Sequence, residues 1–166
     1  MGRVAAVVLA AGEASRFGSP KQNLLLPAVL DRLASTSVAG VVVVQGAHRL
    51  ETTARVVDCL AWSRGPGASL RCGLDALDDD VEAAVVVLAD GPDLAPEAVE
   101  RVLEAWREHG GIVAASYQGS RGHPLVLGRD DWRDIPDEGL RDRPVRLVPC
   151  DDLGSPGDVD TPSDLL

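Results

Sequence analysis

The chain has 166 residues, 45% of them apolar and 25% charged, which suits one domain with a buried core and excludes a disordered chain. Its formal net charge of −10 at pH 7 argues against a nucleic-acid backbone or an anionic membrane as partner, because both need a basic face. The aromatics are three Trp, one Tyr and one Phe, so the core must come mainly from Val, Leu and Ala.

The N-terminal Met1-Gly2-Arg3 runs directly into an apolar stretch that lacks the flanks of a signal peptide. Residues 4–10 are continuously apolar and read as a strand buried on both faces. Residues 12–20 form a Gly/Ser-rich loop, residues 28–35 a helix, and residues 41–45 a second buried strand. Residues 49–60 are compatible with a helix carrying Val56, Val57 and Leu60 on one side. A turn cluster at 63–67 precedes a helix over 68–77, and residues 83–89 make a third buried strand ending at Asp90-Gly91-Pro92. Pro96 suits the first position of a helix with Glu97 and Glu100 in its opening turn. Val99, Val102, Leu103 and Trp106 follow at helical spacing before Gly110-Gly111 ends that helix. Strands are expected over 112–116, 124–127 and 145–148, the last in a loop-rich tail.

This alternation predicts an α/β fold of three layers, α/β/α, with a mostly parallel central sheet, and one domain over 1–166. Ligands of such sheets bind beyond the carboxyl ends of the strands, where the loops after Ala10 and Ala89 lie. Cys59, Cys72 and Cys150 are odd in number, widely spaced and without metal-ligand spacing, and they read as three reduced thiols in a cytoplasmic protein.

In the first loop, small residues at 10, 11, 12 and 14 let backbone amides approach an anion, and Arg16 and Lys21 add positive charge. Lys21 is the one lysine among 16 basic residues, a place for a compact ammonium rather than a planar guanidinium. The spacing fits neither GxxxxGK[ST] nor GxGxxG, so a Walker loop and a dinucleotide fingerprint are both rejected. Asp90 at a strand end is a turn aspartate before Gly-Pro or a magnesium ligand. Asp160, before Thr161 and Pro162, is a helix cap or a second metal ligand, and Asp158 is a weaker candidate.

Leu9-Ala10-Ala11-Gly12, Ser15-Arg16-Phe17-Gly18 and Pro20-Lys21-Gln22 together resemble the signature loop of the MobA-like NTP transferase family, which has a GT-A-like, Rossmann-like α/β fold. Within that family the sequence is most similar to the molybdenum cofactor cytidylyltransferases. Leu88-Ala89-Asp90-Gly91-Pro92 resembles the family's Asp-Gln-Pro segment with Gly91 in place of Gln, and 158–165 resembles Asp-x-Asp-Thr-Pro-x-Asp-Leu. Ser69-Leu70-Arg71-Cys72-Gly73-Leu74, Gly122-His123-Pro124 and 137–141 resemble further family segments, all in the family's order.

The resemblance implies nucleotide binding by Leu9, Ala10, Ala11, Gly12, Arg16, Lys21, Ser69, Arg71 and Gly73, with Arg16 and Lys21 on the triphosphate. It implies catalysis by Arg16, Lys21 and Asp90, Mg2+ on Asp90 and Asp160, and acceptor binding by Gly122, His123 and Pro124, with 137–141 on the acceptor side. The implied activity moves CMP from CTP to a phosphorylated acceptor, molybdopterin, with pyrophosphate release. A guanylyl or sugar-1-phosphate nucleotidyltransferase and a nucleotide-binding module without turnover are the alternatives. The segment that relatives insert before their first long helix is missing after Pro27, and the acceptor side is short.

Overall fold

The computed structural model describes residues 2–11, 21–47 and 49–156, with the backbone alone at 21–23. A seven-stranded sheet has the order β3-β2-β1-β4-β6-β5-β7. Strands β1 (Arg3–Ala10), β2 (Gly40–Gln45), β3 (Arg55–Asp58) and β4 (Val81–Leu88) are mutually parallel. Strand β6 (Ser120–Gly128) runs antiparallel to both β4 and β5 (Ile112–Tyr117), and β7 (Arg146–Pro149) pairs parallel with β5.

Continuous apolar runs make the central strands because both faces are covered. On one face, Val4, Ala6 and Val8 pack with Val85 and Val87 against Leu26, Val29 and Leu33 of α1 (Lys21–Ala34) and Val99, Val102 and Leu103 of α3 (Pro96–His109). On the other, Val7, Val44 and Val86 meet Leu70 and Leu74 of α2 (Pro66–Asp75), together with Ile135 and Leu140. Helix α2 comes close because Gly73 faces the sheet; a Cβ there would lie 2.5 Å from Val7 Cγ1 and 2.9 Å from Val44 Cγ2.

The structure corrects three expectations. Residues 49–60 do not form a helix: Val56 and Val57 belong to edge strand β3, paired Val43↔Val56 and Val44↔Val57, and Leu60 is 94% exposed. A short β-branched pair beside the open edge of β2 gains more from that ladder than from a helical turn. Helix α1 begins at Lys21 rather than residue 28, with exposed Pro27 inside it. Proline there forfeits one backbone bond, while Leu25, Leu26, Val29 and Leu33 are buried. Finally, Cys59 and Cys72 are joined as a disulfide with Cα atoms 5.8 Å apart, so only Cys150 is a free, buried thiol. No described helix is long and apolar enough to cross a membrane.

Candidate active site

Strand β1 has β2 on one side and β4 on the other, so the chain reverses its winding there. In open α/β sheets the crevice at the carboxyl ends of the strands flanking such a reversal receives the ligand. Ala89 N donates to Leu9 O at 3.1 Å, joining the two strand ends, and Ala47 N donates to Ala11 O at 3.3 Å. Ala10 and Ala11 are buried and carry only methyl groups. Gly12, Arg16, Asp158 and Asp160 lie outside the described residues, and so does the Lys21 side chain, although Lys21 itself opens α1.

Asp90 lies two residues past the end of β4, in a turn closed by Gly91 N to Leu88 O at 3.2 Å and Leu94 N to Gly91 O at 3.4 Å. Asp93 N donates to Pro156 O at 3.1 Å, which seats residues 154–156 over that turn. Among the described residues no group of three His, Cys, Asp or Glu side chains could hold a metal ion. Just past the end of β4, Asp90 offers a hard carboxylate. That fits a magnesium-like cation, which binds one or two carboxylates and completes its shell with phosphate oxygens and water.

With Val86 opposite Leu125, the residues before Leu125 run past the carboxyl end of β4. Arg121, Gly122 and His123 thereby separate two cavities. The smaller, about 260 Å³, lies on the α2 side, with Leu9, Pro66, Leu70, Leu125 and Leu140 in its wall and Glu138 and Arg141 also lining it. The larger, about 400 Å³, is lined by Gly91, Leu94, Tyr117, Ser120, Ser155 and Pro156. Arg121, Gly122 and His123 line both. Pro124 follows through a cis peptide bond. Burial pushes the His123 imidazole down to about 4, against the opposing pull of the Asp90 carboxylate and with help from Arg121. At neutral pH the ring is uncharged and exchanges hydrogen bonds rather than charge.

The α2 residues divide their work. Ser69 is buried in the first turn of α2. The Arg71 guanidinium donates to the Ile135 carbonyl and, at 2.5 Å, to the Asp137 carboxylate, which Arg64 also pairs at 3.1 Å. The Arg71 hydrogen bond, then the Arg64 charge, hold the Asp137 carboxyl below its ordinary range. Arg71 and Gly73 therefore fix α2 against the 135–137 segment and the sheet, respectively. Gly67 N donates to Asp137 O at 2.8 Å, and a Cβ on Gly67 would fall 1.7 Å from Pro136 O. Gly67→Ala is expected to cost about 3 kcal/mol, at the upper end for overpacking against backbone. Urea unfolding of the two proteins reads this, and an unshifted midpoint would refute the docking.

The structure brings Leu9, Ala10, Ala11, Asp90 and the 122–124 segment to one end of the sheet. It seats Glu138–Arg141 on the α2-side cavity, on the far side of Arg121–His123 from Gly91 and Ser120. Tyr117 and Ser120 escaped the sequence reading. The one available signal was a lone tyrosine before Gln118-Gly119, a hairpin turn with φ of 54° and 80°.

Sheet order, switch-point crevice and paired cavities place the candidate site of this α/β fold at the carboxyl ends of β1 and β4. The model of the MobA-like NTP transferase domain matches residues 6–148, and the chain belongs to that family. It is 30% identical over 125 residues to the bifunctional protein GlmU of Cutibacterium acnes, covering 66% of this chain and 30% of that protein. The chain thus spans under a third of the length of the curated relatives it matches. The structure of Rv0371c from Mycobacterium tuberculosis H37Rv superposes with a TM-score of 0.81 at 26% identity, covering 99% of this chain and 96% of that one. A manganese complex of Rv0371c gives 0.74 at 26% identity, covering 98% and 96%. Molybdopterin-guanine dinucleotide biosynthesis protein A of Archaeoglobus fulgidus, 19% identical, shares the fold at 0.70 with 97% and 94% covered.

Proposed function

We propose that the protein transfers a cytidylyl group from CTP to the phosphate of a phosphorylated acceptor, molybdopterin, and releases pyrophosphate. The observation that carries this reading is the pair of cavities meeting on Arg121–His123 beside Asp90 at the switch point. CTP occupies the α2 side, with base and ribose against Leu9, Ala10, Ala11 and Gly12, and with Ser69 near the base. Arg71 and Gly73 act there by holding α2 in place. The acceptor lies in the larger cavity against Gly122, His123 and Pro124. Cytosine is favoured by Leu-Ala-Ala-Gly, since a methyl at Ala11 leaves less room for a purine than glycine would.

The acceptor phosphate oxygen attacks the α-phosphorus in line, forming the new P–O bond as the α–β anhydride bond breaks and its electron pair leaves with pyrophosphate. A phosphate acceptor is already ionised at neutral pH, so this step needs no general base, and a neutral His123 has only to orient the acceptor. Arg16 and Lys21 neutralise the departing pyrophosphate, where positioning and charge compensation supply most of the catalysis. A divalent cation, Mg2+, held by Asp90 and Asp160 supplies charge neutralisation at the phosphate oxygens when bound. The manganese complex of Rv0371c is in keeping with that choice. Under this reading residues 1–166 act as one transferase domain in the cytoplasm.

Calorimetric titration with CTP, GTP, UTP and ATP in magnesium tests the nucleotide, and pyrophosphate release with molybdopterin tests the reaction. CTP is expected to bind at least tenfold tighter than the others, and Lys21→Ala to weaken it by at least tenfold. Equal binding by Lys21→Ala removes the loop from the argument. CTP binding without pyrophosphate release leaves a nucleotide-binding module.

A further inference from the structure

The segment that divides the two cavities is poorly held by the sheet itself. Register pairs Ser116 with Arg121 and Ala114 with Leu125, so residues 122–124 face Ala115 alone as a bulge in β6. Pairing with β4 starts only at Val86↔Leu125. Residues 122–124 therefore lie outside the register of both β4 and β5, where backbone groups need other partners.

Tyr117 supplies one. Its Oη donates to the His123 carbonyl at 2.8 Å. Its ring lies on the face of Gly122, where a Cβ would stand 2.9 Å from Cδ2 and 3.0 Å from Cε2. Burial, then Cys150 and Asp151, push its phenol up to about 12, so the hydroxyl keeps its proton throughout the neutral range. Tyr117 is itself anchored. Cys150 N donates to Ser116 O at 2.9 Å, and Gln118 N donates to the Asp151 carboxylate. Arg101 of α3 grips Asp152 at 2.8 and 3.0 Å and Pro149 O at 3.0 Å. A hydrogen-bonded path thus runs from α3 through the 149–152 turn to the hairpin and out to His123.

We propose that Tyr117 is a positioning residue that holds the Gly122–Pro124 bulge in the shape the acceptor requires, without touching the reacting atoms. This rests on the reading of 122–124 as the acceptor contact. Gly122 is then needed because the Tyr117 ring occupies the space a side chain would take, not because the acceptor does.

The test uses the full chain with CTP and molybdopterin, together with amide hydrogen exchange at Gly122 and His123, which needs no turnover. Tyr117→Phe keeps the ring and loses the donor. It is expected to raise the acceptor KM about five- to tenfold, leave the CTP dissociation constant within twofold, and accelerate exchange at the two amides while the β1 and β4 amides are unchanged. Gly122→Ala is expected to raise the acceptor KM at least tenfold in the parent and less than twofold in a Tyr117→Ala background, since the clashing ring is gone. Unchanged exchange in Tyr117→Phe, or a Gly122→Ala penalty equally large in both backgrounds, overturns the proposal. Faster exchange in a protein that transfers to no acceptor supports the clamp and sinks the transferase reading instead, so the two failures are distinct.

Discussion

Asp90→Asn is expected to lower kcat by about 10²–10³-fold, the usual loss when one preorganised electrostatic group at a charged transition state is removed. The substitution is nearly isosteric and keeps an oxygen at the end of β4, so the turn through Gly91 and Leu94 should survive. What disappears is the formal charge that a hard cation requires beside phosphate oxygens. The loss should therefore appear in the metal dependence as well as in the rate. Half-saturation by magnesium should move up by at least tenfold, while CTP binding measured without metal stays within about threefold, because a carboxylate near a polyphosphate is repulsive when no cation intervenes. Magnesium and manganese titrations of pyrophosphate release in both proteins measure this. Full turnover by Asp90→Asn at unchanged magnesium demand would remove Asp90 from the metal site and leave it a turn residue.

Much of the framework was legible because local and tertiary demands coincide. Continuous apolar runs in β1 and β4 have no amphipathic alternative, and Pro96 with Gly110 brackets α3 at both ends. Where the sequence misled, a distant partner decided. The pattern Val56-Val57-Leu60 satisfies a helix stripe, yet the free edge of β2 recruits the two valines and leaves Leu60 in solvent. The reversed direction of β6 has no local signature, because polarity in a sheet is fixed by which neighbours remain available. It is that reversal which carries Gly122 and His123 to the end of β4 beside Asp90. The same reasoning separates the site residues. Asp90 could be singled out as a candidate because it stands just past the carboxyl end of a buried strand. Tyr117 could not, since its value comes from a bulge that exists only once β5 and β6 are in register. Arg71, matched by motif, turns out to spend its guanidinium on Ile135 and Asp137, a partnership formed across 66 residues of sequence.

Reducing Cys59–Cys72 is expected to destabilise the protein by about 3 kcal/mol, the loop-closure value for a cross-link of this size, given its sequence separation of 13. For a chain of this length that corresponds to roughly 6–12 °C in Tm. The location favours the full effect. Cys59 extends edge strand β3 by donating its amide to Gln45 O at 2.8 Å, while Cys72 sits on α2, so the bond ties a strand paired on one side only to the helix over its neighbours. Reduced, β3 relies on four paired residues and on the Gln45 amide, which bonds the Asp58 carboxylate and accepts from Leu50 N at 2.9 Å. Urea unfolding with and without a dithiol reductant measures the difference, and Cys72→Ser should match the reduced parent and ignore the reductant. A Cys150→Ser variant should respond as the parent does, because that thiol takes no part in the link. A midpoint indifferent to reductant would mean that the two sulfurs neighbour one another without bonding, as expected in a reducing compartment. The same reductant series, read by CTP titration, separates fold from site. Pro66 and Leu70 reach the smaller cavity from α2, so a cross-link that merely stabilises the fold leaves CTP affinity unchanged, whereas one that sets the pose of α2 shifts it.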